Sequence, residues 1–284
     1  MSEMSKLNSD NILCSAGRGE LAKTACLACA LAHNNQCGID YSLLKSMLKN
    51  KQRDGVHVTD ITKCLRSSYY DKTDATPEWV HMMGYRTFGL ALHGYLEGSD
   101  EYGTSELPLQ ALGLVGTADW VYFDGRIIDF KTARWVAPSK LPYASHELQV
   151  NIYAEMLREV NAEFEKIGPG VGKSHGYPLP TSAAIQYIDL SGPTRCRTCK
   201  APFLPGADGS LRCPKCLATN KEAHSENVLL EVFLMESEDI RKVIDERRDT
   251  LNTSVEKHSP PPREEGLCNY CSHEQECFNE SEQI

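Results

Sequence analysis

The sequence of 284 residues predicts an α/β protein that carries cysteine-rich additions. Strand-like segments fill residues 101–133 and recur as SAAIQYIDL and NVLLEVFLM on either side of an insertion. Helical patterns cover about residues 145–166 and 236–257. Twelve cysteines fall into groups along the chain, and a hydrophobic content of 41% supports a core of ordinary size. The cysteines are therefore expected to bind metals rather than to replace a missing core.

The order of these segments predicts four regions. We expect a helical, cysteine-rich module over 1–55, an α/β core over 56–190 and an inserted zinc ribbon over 191–220. Residues 221–284 would complete the core and add a helix and a cysteine clasp. No signal peptide and no membrane span are apparent, which favours a cytoplasmic, reducing location where clustered cysteines bind metal. A net charge of −9 argues against general nucleic-acid binding but leaves local basic patches open.

The insertion contains the clearest metal motif. Two CxxC turns, separated by a loop with Pro and Gly, supply four thiolates for tetrahedral Zn²⁺, from Cys196, Cys199, Cys213 and Cys216. The loop is also locally basic, through Arg195, Arg197, Lys200, Arg212 and Lys215. Two interpretations of these charges remain open: a phosphate-binding surface, or the solvated face of a small structural unit.

The N-terminal cysteines form a less regular group. They are Cys14, Cys26, Cys29 and Cys37, and His33 is an alternative ligand to Cys14. A zinc site is favoured. The alternative is an amphipathic helix, ELAKTACLACALA, whose cysteines are merely buried.

The C-terminal triplet of Cys268, Cys271 and Cys277 lacks a fourth ligand, and Cys64 lacks neighbouring cysteines. Pairing them gives a four-thiolate site that joins distant parts of the chain. The C-x2-C-x5-C spacing suits an iron–sulphur cluster, with zinc as the alternative metal. Such a clasp would constrain the unfolded chain strongly and act as a structural staple.

An apolar hairpin, LVGTADWVYFDGRIIDFKTAR, contains three charged residues that require explanation. Asp119 interrupts its first strand, and Asp129 and Lys131 interrupt its second. Side chains alternate along a strand, so Asp129 and Lys131 share a face. An exposed edge would tolerate such charges, but the run around Asp119 is too apolar for one. The pattern favours two carboxylates that bind a hard cation, Mg²⁺ or Mn²⁺, beside a lysine.

The length of the hairpin loop decides whether the two carboxylates can meet. A two-residue turn at Asp124-Gly125 would set Asp119 opposite Phe130, on the other face from Asp129. A three-residue loop, 123–125, with glycine in the left-handed region would set Asp119 directly across from Asp129. We therefore predict the three-residue loop or a bulge.

Two further pairs add polar groups to the predicted cleft. His93 and Glu97, and likewise Gln149 and Tyr153, are four residues apart and share a helix face. Each pair alone is ordinary for a helix surface. With the hairpin, they predict metal-assisted phosphodiester hydrolysis, in which Lys131 orients or deprotonates water.

Together these residues resemble the RecB-like nucleases of the PD-(D/E)XK superfamily, in particular the CRISPR-associated RecB-like exonucleases with a C-terminal iron–sulphur clasp. The resemblance covers about residues 56–165 and roughly the last twenty. The matching segments are VTDITKCLRSSYY with Cys64, ALHGYLEG with His93, GTADWV with Asp119, IIDFKTA with Asp129 and Lys131, QVNIY with Gln149 and Tyr153, and CNYCSHEQEC.

The resemblance implies a restriction-endonuclease-like mixed β-sheet flanked by helices. It also implies that His93, Asp119, Asp129 and the carbonyl of Phe130 bind the metal, that Lys131, Gln149 and Tyr153 complete the catalytic group, and that Cys64 and the C-terminal triplet hold a 4Fe–4S cluster. The implied activity is that of a DNase on single strands or ends, in recombination, repair or CRISPR spacer acquisition. The N-terminal module and the ribbon map to no part of the common core.

Two other classes of function remain as alternatives. One is a nucleic-acid-binding zinc and iron–sulphur protein that does not cleave, and the other is a metal protein that scaffolds a larger assembly. Intact Asp119, Asp129 and Lys131 favour the nuclease, because a pure binder has no need of a desolvated carboxylate pair beside a lysine.

Overall fold

The computed structural model describes residues 10–14, 16–32, 39, 41–48, 54–74, 78–96, 102–133, 141–167, 177–189, 204–205, 211–213, 215–216, 219–220, 227–264, 268, 271 and 273–279. Over these residues, no helix combines the length and the apolar character that crossing a bilayer requires.

A mixed sheet of five strands forms the centre of the molecule. Its strands are β4 (Gly103–Ala111), β5 (Leu114–Tyr122), β6 (Arg126–Ala133), β7 (Ser182–Asp189) and β11 (Val228–Val232), in the order β11-β7-β6-β5-β4. β6 and β7 are parallel, and the other neighbours are antiparallel. The strands β4 and β11 are therefore the edges of this sheet. The observed architecture is the mixed, helix-flanked sheet that the sequence predicted.

Two tight connections shape the first three strands of the sheet. β4 and β5 are joined at Leu112 and Gly113, which have φ of 56° and 70°. The left-handed backbone is uncommon for leucine, and the Arg248 guanidinium donates a hydrogen bond of 2.7 Å to the Leu112 carbonyl. β5 and β6 are joined by the loop 123–125, in which Gly125 has φ of 88°.

Helices cover one face of the sheet and enclose the main core. They are α3 (Val58–Thr62), α4 (Leu65–Thr73), α6 (Ala144–Ile167) and α7 (Ser237–Glu256). α6 and α7 match the predicted helices within one residue at each end. Val150, Ile152 and Leu157 of α6 are fully buried among residues of β5, β6 and β7. Burial of this apolar surface is the main force that holds the helices to the sheet.

A second apolar cluster forms in the N-terminal part of the chain. The elements there are β1 (Asn11–Leu13), β2 (Glu20–Ala22), α1 (Lys23–Leu31), α2 (Tyr41–Met47), β3 (Glu78–Trp79) and α5 (Val80–Leu96). Ile12, Cys26 and Leu44 pack with Val80 and Met83 of α5. Because α5 also carries His93, this cluster anchors a helix that reaches the main sheet.

Short elements complete the described chain. Within the predicted ribbon, β8 (Leu204–Pro205), β9 (Leu211–Arg212) and β10 (Thr219–Asn220) form a small antiparallel sheet. Near the C-terminus, α8 (Glu274–Asn279) follows the cysteine-containing segment.

Candidate active site

The candidate site lies where strands β5 and β6 separate. The pair Trp120–Ile128 ends the regular ladder between these strands. Beyond it, the Oδ2 atom of Asp119 accepts a hydrogen bond of 2.7 Å from the backbone N–H of Phe130. The Asp119 side chain thus accepts from a Phe130 N–H that would otherwise need a backbone acceptor on the neighbouring strand. The strands can therefore part at this level and leave a cleft.

The hairpin loop has the predicted length. The pairing of Trp120 with Ile128 leaves a three-residue loop, 123–125, and the Gly125 N–H donates a hydrogen bond of 3.0 Å to the Tyr122 carbonyl. The glycine occupies the left-handed region, with φ of 88°. This register sets Asp119 across from Asp129 and confirms the predicted alignment.

A continuous row of polar contacts runs from β6 to α6. The Nζ atom of Lys131 lies 2.7 Å from Oδ2 and 3.0 Å from Oδ1 of Asp129. The same Nζ atom donates a hydrogen bond of 3.0 Å to Oε1 of Gln149. The Gln149 amide in turn donates one of 3.4 Å to the Tyr153 hydroxyl. The structure thus brings together four of the residues that the sequence singled out.

A second group approaches Asp119 from the other side. The Nδ1 atom of His93, on α5, lies 2.6 Å from Oε1 of Glu106 and 3.4 Å from Oδ1 of Asp119. These three ligand atoms lie within 4.8 Å of one another. One imidazole and two carboxylates at this spacing can hold a metal ion. Glu97, the other member of the predicted His93 pair, lies outside the described residues.

Glu106 is the site residue that the sequence analysis missed. It lies on β4 between the pairs Ser105–Trp120 and Leu107–Ala118, so it is across from Asp119. Its φ of 47° kinks the strand locally. A two-residue turn at 112–113 would have aligned these acids from sequence alone. That turn was hard to predict, because it requires a left-handed leucine.

Burial sets the charge state of the two central carboxyl groups. Burial and the nearby Asp129 charge together raise the pKa of Asp119 to about 7, against the attraction of His93 and Lys131. Burial also raises the pKa of Asp129, and Lys131 opposes that rise. Two buried carboxylates close enough to interact repel each other. A bound cation would remove this repulsion.

The donor set fits a divalent cation. Asp129 is 1% exposed, and its Oδ2 atom accepts no well-aligned hydrogen bond in the described part of the chain, although Lys131 is close. A carboxylate oxygen has two lone pairs, so Oδ2 can bind a metal ion while the Lys131 ammonium lies beside it. Oxygen ligands from Asp119, Asp129 and Glu106, with the His93 nitrogen, match the preferences of Mg²⁺ or Mn²⁺.

Tyr153 ends the polar row inside the protein. It is 3% exposed, and burial raises the pKa of its hydroxyl above the ordinary value. The phenol therefore stays protonated near neutral pH. It can hold the Gln149 side chain in place but cannot act as a base.

The four cysteines of the predicted clasp line one cavity of about 510 Å³. They are Cys64, at the start of α4, and Cys268, Cys271 and Cys277. Arg263 approaches the Cys268 sulphur at 3.8 Å. These four sulphurs do not form a group within 4.8 Å of one another, unlike the described atoms of His93, Glu106 and Asp119. The four cysteines, distant in sequence, therefore line the same cavity.

The remaining predicted cysteine sites are only partly described. Cys14 and Cys26 are buried and Cys29 is half-buried, whereas Cys213 is buried and Cys216 exposed. Cys37, Cys196 and Cys199, with His33, lie outside the described residues. Zinc binding in either region remains a prediction.

A family model and a solved structure are similar to this chain. A family model described as the PD-(D/E)XK nuclease superfamily matches residues 47–278. A search of curated proteins finds no match. A solved structure titled "Crystal structure of SSO0001" is similar, with 15% identity and a TM-score of 0.42 over 81% of this chain and 88% of that chain. Because this family model matches residues 47–278, which is most of the sequence, the chain belongs to the PD-(D/E)XK nuclease superfamily.

Proposed function

We propose that this protein is a metal-dependent DNA nuclease of the RecB-like branch. The observation that carries the proposal is the convergence of Asp119, Asp129 and Lys131 where two strands separate. The superfamily implies a nucleic-acid substrate and hydrolysis of phosphodiester bonds. The resemblance to the CRISPR-associated RecB-like exonucleases supports single strands or DNA ends as substrates, and recombination, repair or CRISPR adaptation proteins as partners.

Each residue of the cleft has a distinct role in this reaction. Asp119 and Asp129 would hold Mg²⁺ or Mn²⁺, with His93, Glu106 and the Phe130 carbonyl as further ligands. When bound, the cation polarises the scissile phosphate and lowers the pKa of a water.

Lys131 positions the reacting groups. Its ammonium is held between Asp129 and Gln149, so its direction is fixed before the substrate arrives. From there it can donate a hydrogen bond to a phosphate oxygen or orient the attacking water. Gln149 fixes the lysine, and Tyr153 fixes the amide of Gln149.

The C-terminal cavity supports a 4Fe–4S cluster as a structural clasp. Four thiolates line it, as such a cluster requires. The C-x2-C-x5-C spacing of the terminal cysteines also suits such a cluster, with zinc as the alternative metal. Anaerobically purified protein is expected to be brown, whereas a zinc clasp would leave it colourless.

Two zinc sites complete the proposal. Cys196, Cys199, Cys213 and Cys216 would form the ribbon, and Cys14, Cys26, Cys29 and Cys37 the N-terminal site. The ribbon lies between β7 and β11 in the sequence, so it can border the cleft and influence substrate choice. Metal analysis that finds no zinc would remove both sites from the proposal.

Cleavage assays test the nuclease. Labelled single- and double-stranded DNA would be incubated with Mn²⁺ and either wild-type protein, Lys131→Ala or the exposed control Lys242→Ala. We expect Lys131→Ala to lower the rate by about 10²–10⁴-fold and Lys242→Ala to leave it unchanged. Equal rates for all three proteins would remove the role of Lys131. DNA binding without cleavage under any condition would favour the non-cleaving alternative.

A further inference from the structure

A cluster of aromatic side chains lies beside Lys131 and has no role in the mechanism above. Lys131 on β6 is the register partner of Tyr187 on the parallel strand β7. The Tyr187 hydroxyl contacts the Nδ1 atom of His146 at 2.9 Å. His146, on helix α6, therefore contacts a tyrosine that lies beside Lys131 on the neighbouring strand.

The same histidine extends the polar row of helix α6. His146, Gln149 and Tyr153 follow one another at spacings of three and four residues, which places them on one face of the helix. Gln149 contacts Lys131, and Tyr153 contacts Gln149. His146 is thus the first residue of the helix face that borders the cleft.

The Tyr187 hydroxyl can select one tautomer of His146. Its oxygen accepts a bond of 3.3 Å from the backbone N–H of Tyr143, which leaves the hydroxyl proton available to donate to Nδ1 of His146. With Nδ1 as acceptor, a neutral imidazole carries its proton on Nε2. Burial, together with the Lys131 charge, lowers the pKa of His146 to about 4, so the ring is neutral near pH 7.

The Nε2–H group has no acceptor in the described part of the protein. The contact with Tyr187 is the hydrogen bond of His146, and Nε2 is not among the enclosed polar atoms that lack partners. Nε2 is therefore not enclosed by protein, and the Lys131 charge is near enough to act on the ring. A donor with a fixed direction at the edge of a cleft is suited to an anionic oxygen.

We propose that His146 is a substrate-binding residue whose Nε2–H donates a hydrogen bond to a backbone phosphate of the DNA strand held beside Lys131. The inference rests on the proposed nuclease function and adds a contact to the same cleft. Lys131 would act at the reacting phosphate and His146 at a neighbouring one. The hydroxyl of Tyr187 is a positioning group that keeps the donor on Nε2.

Binding measurements test this role separately from cleavage. Single-stranded DNA with Ca²⁺ in place of Mn²⁺ would be titrated with wild-type protein, His146→Ala, His146→Gln and Tyr187→Phe. His258→Asn is the matched control, because His258 is exposed at the end of α7 and asparagine tolerates its positive φ. Melting temperatures would verify that each variant is folded.

We expect His146→Ala to raise Kd and KM about ten-fold, with a much smaller effect on kcat. His146→Gln keeps an N–H donor and should recover part of the loss. The Kd of Tyr187→Phe should lie between those of wild type and His146→Ala, and the Kd of His258→Asn should equal that of wild type.

Methylphosphonate substitution identifies the contacted group, because it removes the negative charge of one phosphate. Neutralising the contacted phosphate should weaken wild-type binding about ten-fold and add little to the loss in His146→Ala. If neutralising each phosphate in turn weakened DNA binding equally in wild type and His146→Ala, the inference would be overturned. A folded His146→Ala that binds DNA as tightly as wild type would overturn it as well. A wild-type protein that binds without cleaving would overturn the nuclease proposal alone, and one that does neither would overturn both.

Discussion

Asp119 and Asp129 determine the chemistry at the scale of single residues. Both are buried, both have a raised pKa, and each stands close to a cationic or ionisable neighbour. The charge repulsion between two desolvated carboxylates is unfavourable in the absence of a cation. In the proposed metal site, this repulsion would lower the stability of the metal-free protein.

The stability of the metal-free protein should depend on pH through Asp119. The unfolded side chain titrates near 3.8 and the folded one near 7. Between these values the folded state holds the extra proton, so stability is lost as the pH rises through this window. We expect a loss on the order of a few kcal/mol.

Urea unfolding at pH 5, 6, 7 and 8, with EDTA or with Mg²⁺, would measure this effect. The stabilisation by Mg²⁺ should grow with pH, because protons compete with the metal below pH 7. Asp119→Asn should flatten the profile. A metal effect of equal size at pH 5 and pH 8 would contradict this assignment.

Glu106 should contribute to metal affinity. Its carboxylate lies across from Asp119 and shares the His93 contact. Glu106→Gln keeps the size of the side chain but removes one negative ligand, and we expect Mn²⁺ affinity to fall about 10–100-fold. Calorimetric titration would measure it, with the exposed Glu246→Gln as control. Unchanged affinity would show that Glu106 does not bind the ion.

At the scale of elements, the hairpin shows how far sequence reasoning reaches. Because Asp119 and Asp129 interrupt apolar strands, we expect the two acids to face each other. A three-residue loop between β5 and β6 allows this, so the register of the two strands was predictable. The helices α6 and α7 were predictable from periodicity. The kink at Glu106 was not, because it depends on tertiary contacts that place non-glycine residues at positive φ.

Gly125 should tolerate no side chain. Its φ is 88°, and an added Cβ would lie 2.0 Å from the Leu179 carbonyl oxygen. Gly125→Ala should therefore lower the free energy of unfolding by more than the roughly 1 kcal/mol of a left-handed alanine. Gly17→Ala is the matched control, because Gly17 also has positive φ but nothing lies within 4 Å of its added Cβ. Equal losses in urea unfolding would contradict the clash.

At the scale of the whole molecule, Arg247 of α7 joins parts of the chain that are distant in sequence. Its guanidinium donates to the carbonyls of Ile61 and Lys63, the latter at 2.7 Å, and pairs with Glu264 at 3.1 Å. Glu264 also accepts a hydrogen bond of 3.3 Å from the Leu65 N–H. These contacts bracket Cys64. Sequence alone could pair Cys64 with the terminal cysteines but could not show what holds it there.

Arg247→Ala should loosen this arrangement. Two carbonyls and one carboxylate would lose their donor, so we expect a loss of about 2–4 kcal/mol in the free energy of unfolding. In the proposed cluster protein, iron content and visible absorption should fall in parallel, and Arg247→Lys should restore part of both. A stable variant with full iron content would show that Cys64 is positioned by other contacts.

The kink at Glu106 has a consequence for how copies of this protein meet one another. It lies on β4, an outer strand of the sheet, together with Pro108, which has no N–H to offer. An outer strand with a bend, an inward-turned acid and a missing donor is a poor template for strand addition. We therefore expect the bend at Glu106, a candidate metal ligand, also to disfavour edge-to-edge association of the sheet.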